Sequence, residues 1–232
     1  GSLFKKSERH IAVIEALAKK MKGLHRDDLI KIAKLPAGGG ATKILKELEE
    51  SSFIRRYREF GKFQKSVLYQ LTDFFSIFYL KFMTDHSLDD QNAWLKGLDA
   101  PQVRAWNGFA FERLCLLHTE GIKKALGISG VQTHTSAWSS NAGRQKAQAD
   151  LVIDRRDRVI NLCEMKFSIH PFQITKAYAD ELRAKIGLFK DMTKTDKSVF
   201  LTFVTTFGLE PNEHSASLVQ NSLTMDVLFE QV

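Results

Sequence analysis

The stretch AQADLVIDRRDRVINLCEMKFS, residues 147–168, holds Asp150 near the start of one apolar run and Glu164 and Lys166 within the next. Burying unpaired charge is costly, so a carboxylate and an ammonium two residues apart in a strand are either solvated at its end or used in chemistry. Strand side chains alternate, which sets Glu164 and Lys166 on one side together with Ile160 and Leu162. A hairpin through Arg155, Arg156 and Asp157 lays the two runs side by side, so that Asp150, Glu164 and Lys166 converge at one sheet end. Two carboxylates offer hard oxygen ligands suited to Mg²⁺ or Mn²⁺, which polarises a phosphodiester and generates hydroxide from bound water. An ammonium beside them positions that water or stabilises charge building on the phosphorane oxygens. The plain alternative is an ion pair at a solvated strand end.

The elements that must hold these groups follow from hydrophobic spacing. Residues from about 101 to 127 read as a helix whose face carries Val103, Trp106, Ala110, Leu114 and Leu117. Strands follow at about 131–138, 148–154 and 158–167, then a helix near 174–190 with Tyr178, Leu182, Ile186 and Phe189 on its apolar face. SVFLTFVTTFG is a β-branched strand, and TMDVLFE fits a short final one. This half therefore runs α-β-β-β-α-β.

Ahead of it, Ser7 is placed to cap a helix over ERHIAVIEALAKKM that Gly23 can end. A short helix follows Asp27, a third covers ATKILKELEE, and FIRRYREF and SVLYQLT form a hairpin. Three helices and a basic hairpin make a winged helix-turn-helix. DFFSIFYLKFM reads as a trailing buried helix, and the polar TDHSLDDQNAWLKGLDAP as the connection. The expected fold class is mixed α/β (α+β), with a winged helix-turn-helix domain over residues 1–88 and a mixed-sheet domain over 89–232.

The chain carries 34 basic and 27 acidic residues, a net charge of +7 and a pI near 9.3, which favours a polyanionic partner. DNA is the expected one. Lys43 and Lys46 on the third helix, with Arg55, Arg56, Arg58, Lys62 and Lys65 on the hairpin, form a basic recognition helix and wing. A scaffold that only joins domains is the alternative. Arg144 and Lys146 on a hairpin loop and Lys176 opening the later helix could meet phosphate, and a solvated loop accounts for the first two nearly as well. Tyr178 reads as packing. Cys115 and Cys163 sit in apolar runs, as small hydrophobes in a reducing, cytoplasmic setting. No apolar run reaches a membrane span, so no membrane partner is expected. Gly1-Ser2 resembles a tag scar, which points to a longer parent chain.

Asp150, a turn and then Glu164-Met165-Lys166, preceded by a helix bearing Glu112, resembles the PD-(D/E)xK nuclease core of restriction enzymes and archaeal junction resolvases. Ala149 stands where the motif has proline. The resemblance implies that Asp150, Glu164 and the Met165 carbonyl bind Mg²⁺ or Mn²⁺, that Lys166 assists the nucleophile, and that Glu112 helps hold the metal or its waters. A glutamate facing water is the alternative for Glu112. The stretches ERHIAVIEALAKK, WNGFAFERL, ADLVIDRRDRVINLCEMKFS and ITKAY are similar to the C-terminal half of the archaeal and bacterial AAA+/STAND ATPase family that carries a DUF234 domain. That likeness implies an ATPase domain in cis, preceding this part, with ATP bound only there. GGGATKI is no substitute for a phosphate loop, since Thr42-Lys43 stand in the wrong order. Two functions follow as expectations: a Mg²⁺-dependent DNA endonuclease module, or an inactive DNA-binding or regulatory module that keeps the nuclease fold. A more distant reading makes the winged helix a protein-interaction hinge. Association into a homo-oligomer stays open.

Overall fold

The computed structural model describes residues 7–36, 38–61, 67–84, 100–140 and 147–230. Lys62, Lys65, Arg144 and Lys146, and nearly all of the expected inter-domain connection, lie outside the described residues. The chain is mixed α/β and divides into two compact units, Gly1–Trp94 and Leu95–Val232.

The first unit runs α1 (Glu8–Ala18), β1 (Leu24–His25), α2 (Arg26–Ile32), α3 (Gly39–Glu50), β2 (Ile54–Arg58), β3 (Val67–Leu71) and α4 (Phe74–Phe78). Apolar residues at helical spacing turn α1 inward through Val13, Ala16 and Leu17, and α3 through Ala41, Ile44, Leu45 and Leu48. The strands form an antiparallel sheet in the order β1-β3-β2. Gly23 makes the turn into β1 at φ +93°, where an added Cβ would lie 2.5 Å from the Tyr69 carbonyl oxygen, so only glycine fits. The trailing helix is less buried than its composition suggests. A π-helical turn over Tyr79–Met83 widens the spacing, leaving Ile77 and Phe82 inside and Phe75, Tyr79 and Met83 exposed.

The second unit runs α5 (Pro101–Leu117), α6 (Thr119–Ala125), β4 (Thr133–Ser140), β5 (Ala147–Arg155), β6 (Val159–Lys166), α7 (Lys176–Thr193), β7 (Ser198–Thr205), α8 (Glu213–Leu218) and β8 (Val219–Thr224). Its sheet order is β4-β5-β6-β7-β8, antiparallel from β4 to β6 and parallel from β6 to β8. Leu151, Ile153, Cys163 and Met165 pack with Phe111 and Cys115 of α5 and Ile122 of α6 on one face. Leu201 and Phe203 pack with Ala179 and Leu182 of α7 on the other. Helices thus cover both faces of the sheet.

Two packing expectations change. The inward face of α5 runs through Val103, Trp106, Phe111 and Cys115, while Leu117 is exposed because the chain turns at His118 into α6. The last strand is Val219–Thr224, and the next residues, Met225–Leu228, form a 3₁₀ turn that buries Leu228. The polar sequence VQNSLT hides β8 from a hydrophobicity argument. Its polar side chains are used in pairing, since Gln220 Oε1 accepts from the Leu201 amide at 2.7 Å.

Candidate active site

The β5–β6 ladder carries its last rung at Leu151 and Cys163. Beyond that rung β5 stays paired only with β4, back to Ala147, and β6 only with β7, out to Lys166. The sheet therefore forks, and Asp150 and Glu164 are the first residues past the last rung. A β-bulge lies at the same place: Ala137 of β4 stands against both Asp150 and Leu151, between the Ser136–Val152 and Trp138–Ala149 pairs. Bulges bend a strand and re-aim its side chains, which fits the entry of Asp150 into the fork. Gln148 Nε2 donates to Asp150 Oδ1 at 3.3 Å.

Glu164 is buried and held from three directions. Lys185 Nζ donates to Oε1 at 2.5 Å, the Tyr178 hydroxyl donates to Oε2 at 3.2 Å, and Lys166 Nζ stands 4.0 Å from Oε2. The Lys166 ammonium also lies over the Tyr178 ring, 5.2 Å from its centroid, while about a third of its side chain (34%) stays accessible. Burial and the neighbouring Glu164 carboxylate push the Tyr178 hydroxyl well above its ordinary range, so it remains a neutral donor. Thr205 is in register with Lys166 on β7, buried, with no hydrogen-bond partner for Oγ1 among the described residues. The α7 register follows from Thr175, whose side chain caps the helix at the Tyr178 amide. Tyr178 and Lys185, two turns apart, then face the same strand.

Glu112 belongs to α5, which covers the opposite face of the sheet from α7. Its charge, after burial, is a cause that raises the Cys115 thiol to about 12. No group of three His, Cys, Asp or Glu side chains among the described residues is arranged to hold a metal ion. Asp150 and Glu164, just past the last β5–β6 rung, are hard oxygen donors of the kind Mg²⁺ or Mn²⁺ takes. Lys176 is exposed in the first turn of α7. Spacing alone did not single out Lys185. The available signal was a lysine on the α7 side that carries Tyr178, Leu182 and Phe189.

In the first unit the basic residues interleave with acids. Lys43 Nζ is 3.9 Å from Glu47, Lys46 Nζ is 3.5 Å from Glu50, and Arg56 Nε donates to Glu49 at 2.7 Å. Arg55 donates to Gln70 and lies over the Tyr57 ring, while Arg58 is exposed at the end of β2. Exposed pairs of this kind are worth about 0–1 kcal/mol, so an incoming phosphate can displace them. A cavity of about 420 Å³ in this unit is lined by Glu15, Lys19, Met21, Ile77 and Lys81 and holds no carboxylate pair. No described helix is long and apolar enough to cross a membrane.

Comparison of the chain with known protein families, curated proteins and solved structures returned no match.

Proposed function

We propose that the second unit is a PD-(D/E)xK nuclease-like domain that hydrolyses DNA phosphodiesters with Mg²⁺ or Mn²⁺, joined to a winged helix-turn-helix that engages DNA. The observation that carries this reading is the fork after Leu151 and Cys163, which sets Asp150 across from Glu164, Met165 and Lys166 within the order α-α-β-β-β-α-β. The first unit supports its half through three helices and the β1-β3-β2 sheet, with Lys43 and Lys46 on α3 and Arg55, Arg56 and Arg58 on β2.

In this reading Asp150, Glu164 and the Met165 carbonyl would hold the cation, which would supply Lewis acidity and an activated water. Tyr178 orients Glu164 by its hydrogen bond. Lys166, anchored over the Tyr178 ring and still reaching solvent, stabilises negative charge on the phosphate oxygens as the water adds to phosphorus and the ester bond breaks. An ATPase domain in cis belongs to the same proposal.

A second reading is an inert DNA-binding or regulatory module. Both Glu164 oxygens already engage Lys185 and Tyr178, and an ion pair alone accounts for that. The deciding experiment compares wild type with Asp150→Asn and Lys166→Met on linear, branched and single-stranded DNA with Mg²⁺ or Mn²⁺. Cleavage by wild type that falls on the order of 10²-fold or more in both variants is expected for the enzyme. Wild type that cuts none of these forms leaves the inert module.

A further inference from the structure

Glu164 has more cationic company than one carboxylate requires. Lys185 touches Oε1 at 2.5 Å, and Lys166 stands 4.0 Å from Oε2 with a separate anchor on the Tyr178 ring. Mg²⁺ bound through Glu164 sits about 2.0–2.1 Å from a carboxylate oxygen, where its charge strongly repels an ammonium already in contact with the same carboxylate. Lys185 and the cation therefore compete for the same carboxylate. Charge accounting gives the consequence. Among the described groups, Asp150, Glu164 and Glu181, whose charge also acts on Tyr178, set three negative charges against the two positive charges of Lys166 and Lys185 in the free protein. Adding a divalent cation leaves the fork with a surplus of positive charge that an anionic ligand relieves.

Lys185 is suited to serve that anion. Its ammonium ends a four-carbon stem, and 18% of its side chain reaches solvent, so it can swing away from Glu164 without α7 moving. Its neighbours on the inward side of α7, Ala179, Leu182 and Phe189, are fully buried and apolar, which makes an ammonium there costly unless an anion stays beside it. Glu164 fills that need in the free protein.

We propose, on the strength of the nuclease reading above, that Lys185 is a phosphate-positioning residue: it neutralises Glu164 until a divalent cation takes that carboxylate, and then transfers to the DNA phosphodiester. Cation and nucleic acid accordingly bind with positive cooperativity, each favouring the state with Lys185 released.

The test is Mn²⁺ binding to the purified chain, followed by calorimetry and by the paramagnetic signal of free Mn²⁺, with and without a short duplex oligonucleotide. Removing one unit charge in contact with the binding oxygen should tighten Mn²⁺ binding about tenfold or more in Lys185→Met. Lys185→Gln should show the same gain, guarding against a folding defect in either variant, and Lys185→Arg should behave as wild type. The oligonucleotide should tighten Mn²⁺ binding to wild type and leave Lys185→Met unchanged. A purely structural lysine would not raise metal affinity when removed. If Glu164→Gln abolishes Mn²⁺ binding while Lys185→Met and Lys185→Gln bind no more tightly than wild type, the role of Lys185 is overturned and the metal site stands. If neither wild type nor the Lys185 variants bind Mn²⁺, both are overturned.

Discussion

Replacing Lys185 by methionine should destabilise the second unit more than the same change at Lys166, although only Lys166 belongs to the E-x-K motif. Lys185 donates at 2.5 Å to a carboxylate whose side chain is 7% exposed, whereas Lys166 stands at 4.0 Å and is 34% exposed. Removing one member of a fully buried pair costs about 3–5 kcal/mol. Lys185 reaches solvent, and Lys166 and Tyr178 remain beside Glu164, so the expected loss for Lys185→Met falls to about 2 kcal/mol. An exposed pair is worth about 0–1 kcal/mol, which bounds Lys166→Met. Glu164→Gln keeps the shape and leaves Lys185 without its anion, so it should match or exceed Lys185→Met. The double variant Glu164→Gln/Lys185→Met should then cost less than the sum of the singles by about 1–2 kcal/mol, since both charges go together. The assay is guanidinium unfolding followed by tryptophan fluorescence, with Trp106 and Trp138 both buried in this unit. A Lys166→Met loss equal to that of Lys185→Met, or additive single variants, would refute the assignment of Lys185 as the main partner of Glu164.

Asn161 is fully buried and donates to Thr202 at 2.9 Å and Asn221 at 3.2 Å, so Asn161→Ala should cost about 2–3 kcal/mol in the same assay by stranding polar partners. Gly121→Ala should lower the melting temperature, because its Cβ would lie 2.6 Å from the Val227 carbonyl oxygen. Burial raises the Cys115 thiol from 9.0 to about 12, so the native state favours the protonated thiol. That contribution is complete below the unfolded value and is lost as pH rises from 9.0 towards 12, which unfolding measured across alkaline pH should show, with no alkylation of the native thiol near neutral pH. Glu49→Gln and Glu50→Gln free Arg56 and Lys46, and should tighten duplex binding and steepen its salt dependence; unchanged salt slopes would exclude α3 and β2 as the contact surface.

Periodicity was the readable part of the fold. The strand runs around Asp150 and Glu164 and the helix over Tyr178 to Phe189 are strongly patterned, and the structure forms each within a few residues. β8 was not readable at its true place, because its polar side chains are spent on hydrogen bonds inside the sheet. The face of α5 differs from the apolar spacing in that Arg113 is buried among its inward residues, with its guanidinium 4.4 Å from the Phe109 ring centroid. Asp150, Glu164 and Lys166 were legible as types at a spacing. Lys185 was not, since the partner of a buried carboxylate is chosen by tertiary approach, and α7 also carries Lys176, Arg183 and Lys190 with no local mark to separate them.

The fork itself argues for more than stability. Apolar Ala149 and Met165 lie past the last β5–β6 rung and are buried, so apolar packing does not require the ladder to stop there. It stops one residue before Asp150 and Glu164, two carboxylates that continued pairing would set directly opposite each other, an arrangement that like-charge repulsion disfavours. A sheet selected for stability alone would set opposite charges across that rung, or none. Lys185 on α7 and Lys166 on the same strand bring positive charge to Glu164, and the half-buried Tyr178 donates to it, so two lysines and a tyrosine hydroxyl hold one buried carboxylate. Local rules that break together at one place, with compensation drawn from a second element, are what the proposed metal site would require. In the nuclease reading proposed above, the two carboxylates would serve a divalent cation, and Lys166 and Lys185 would remain to meet a phosphate once that cation had taken Glu164.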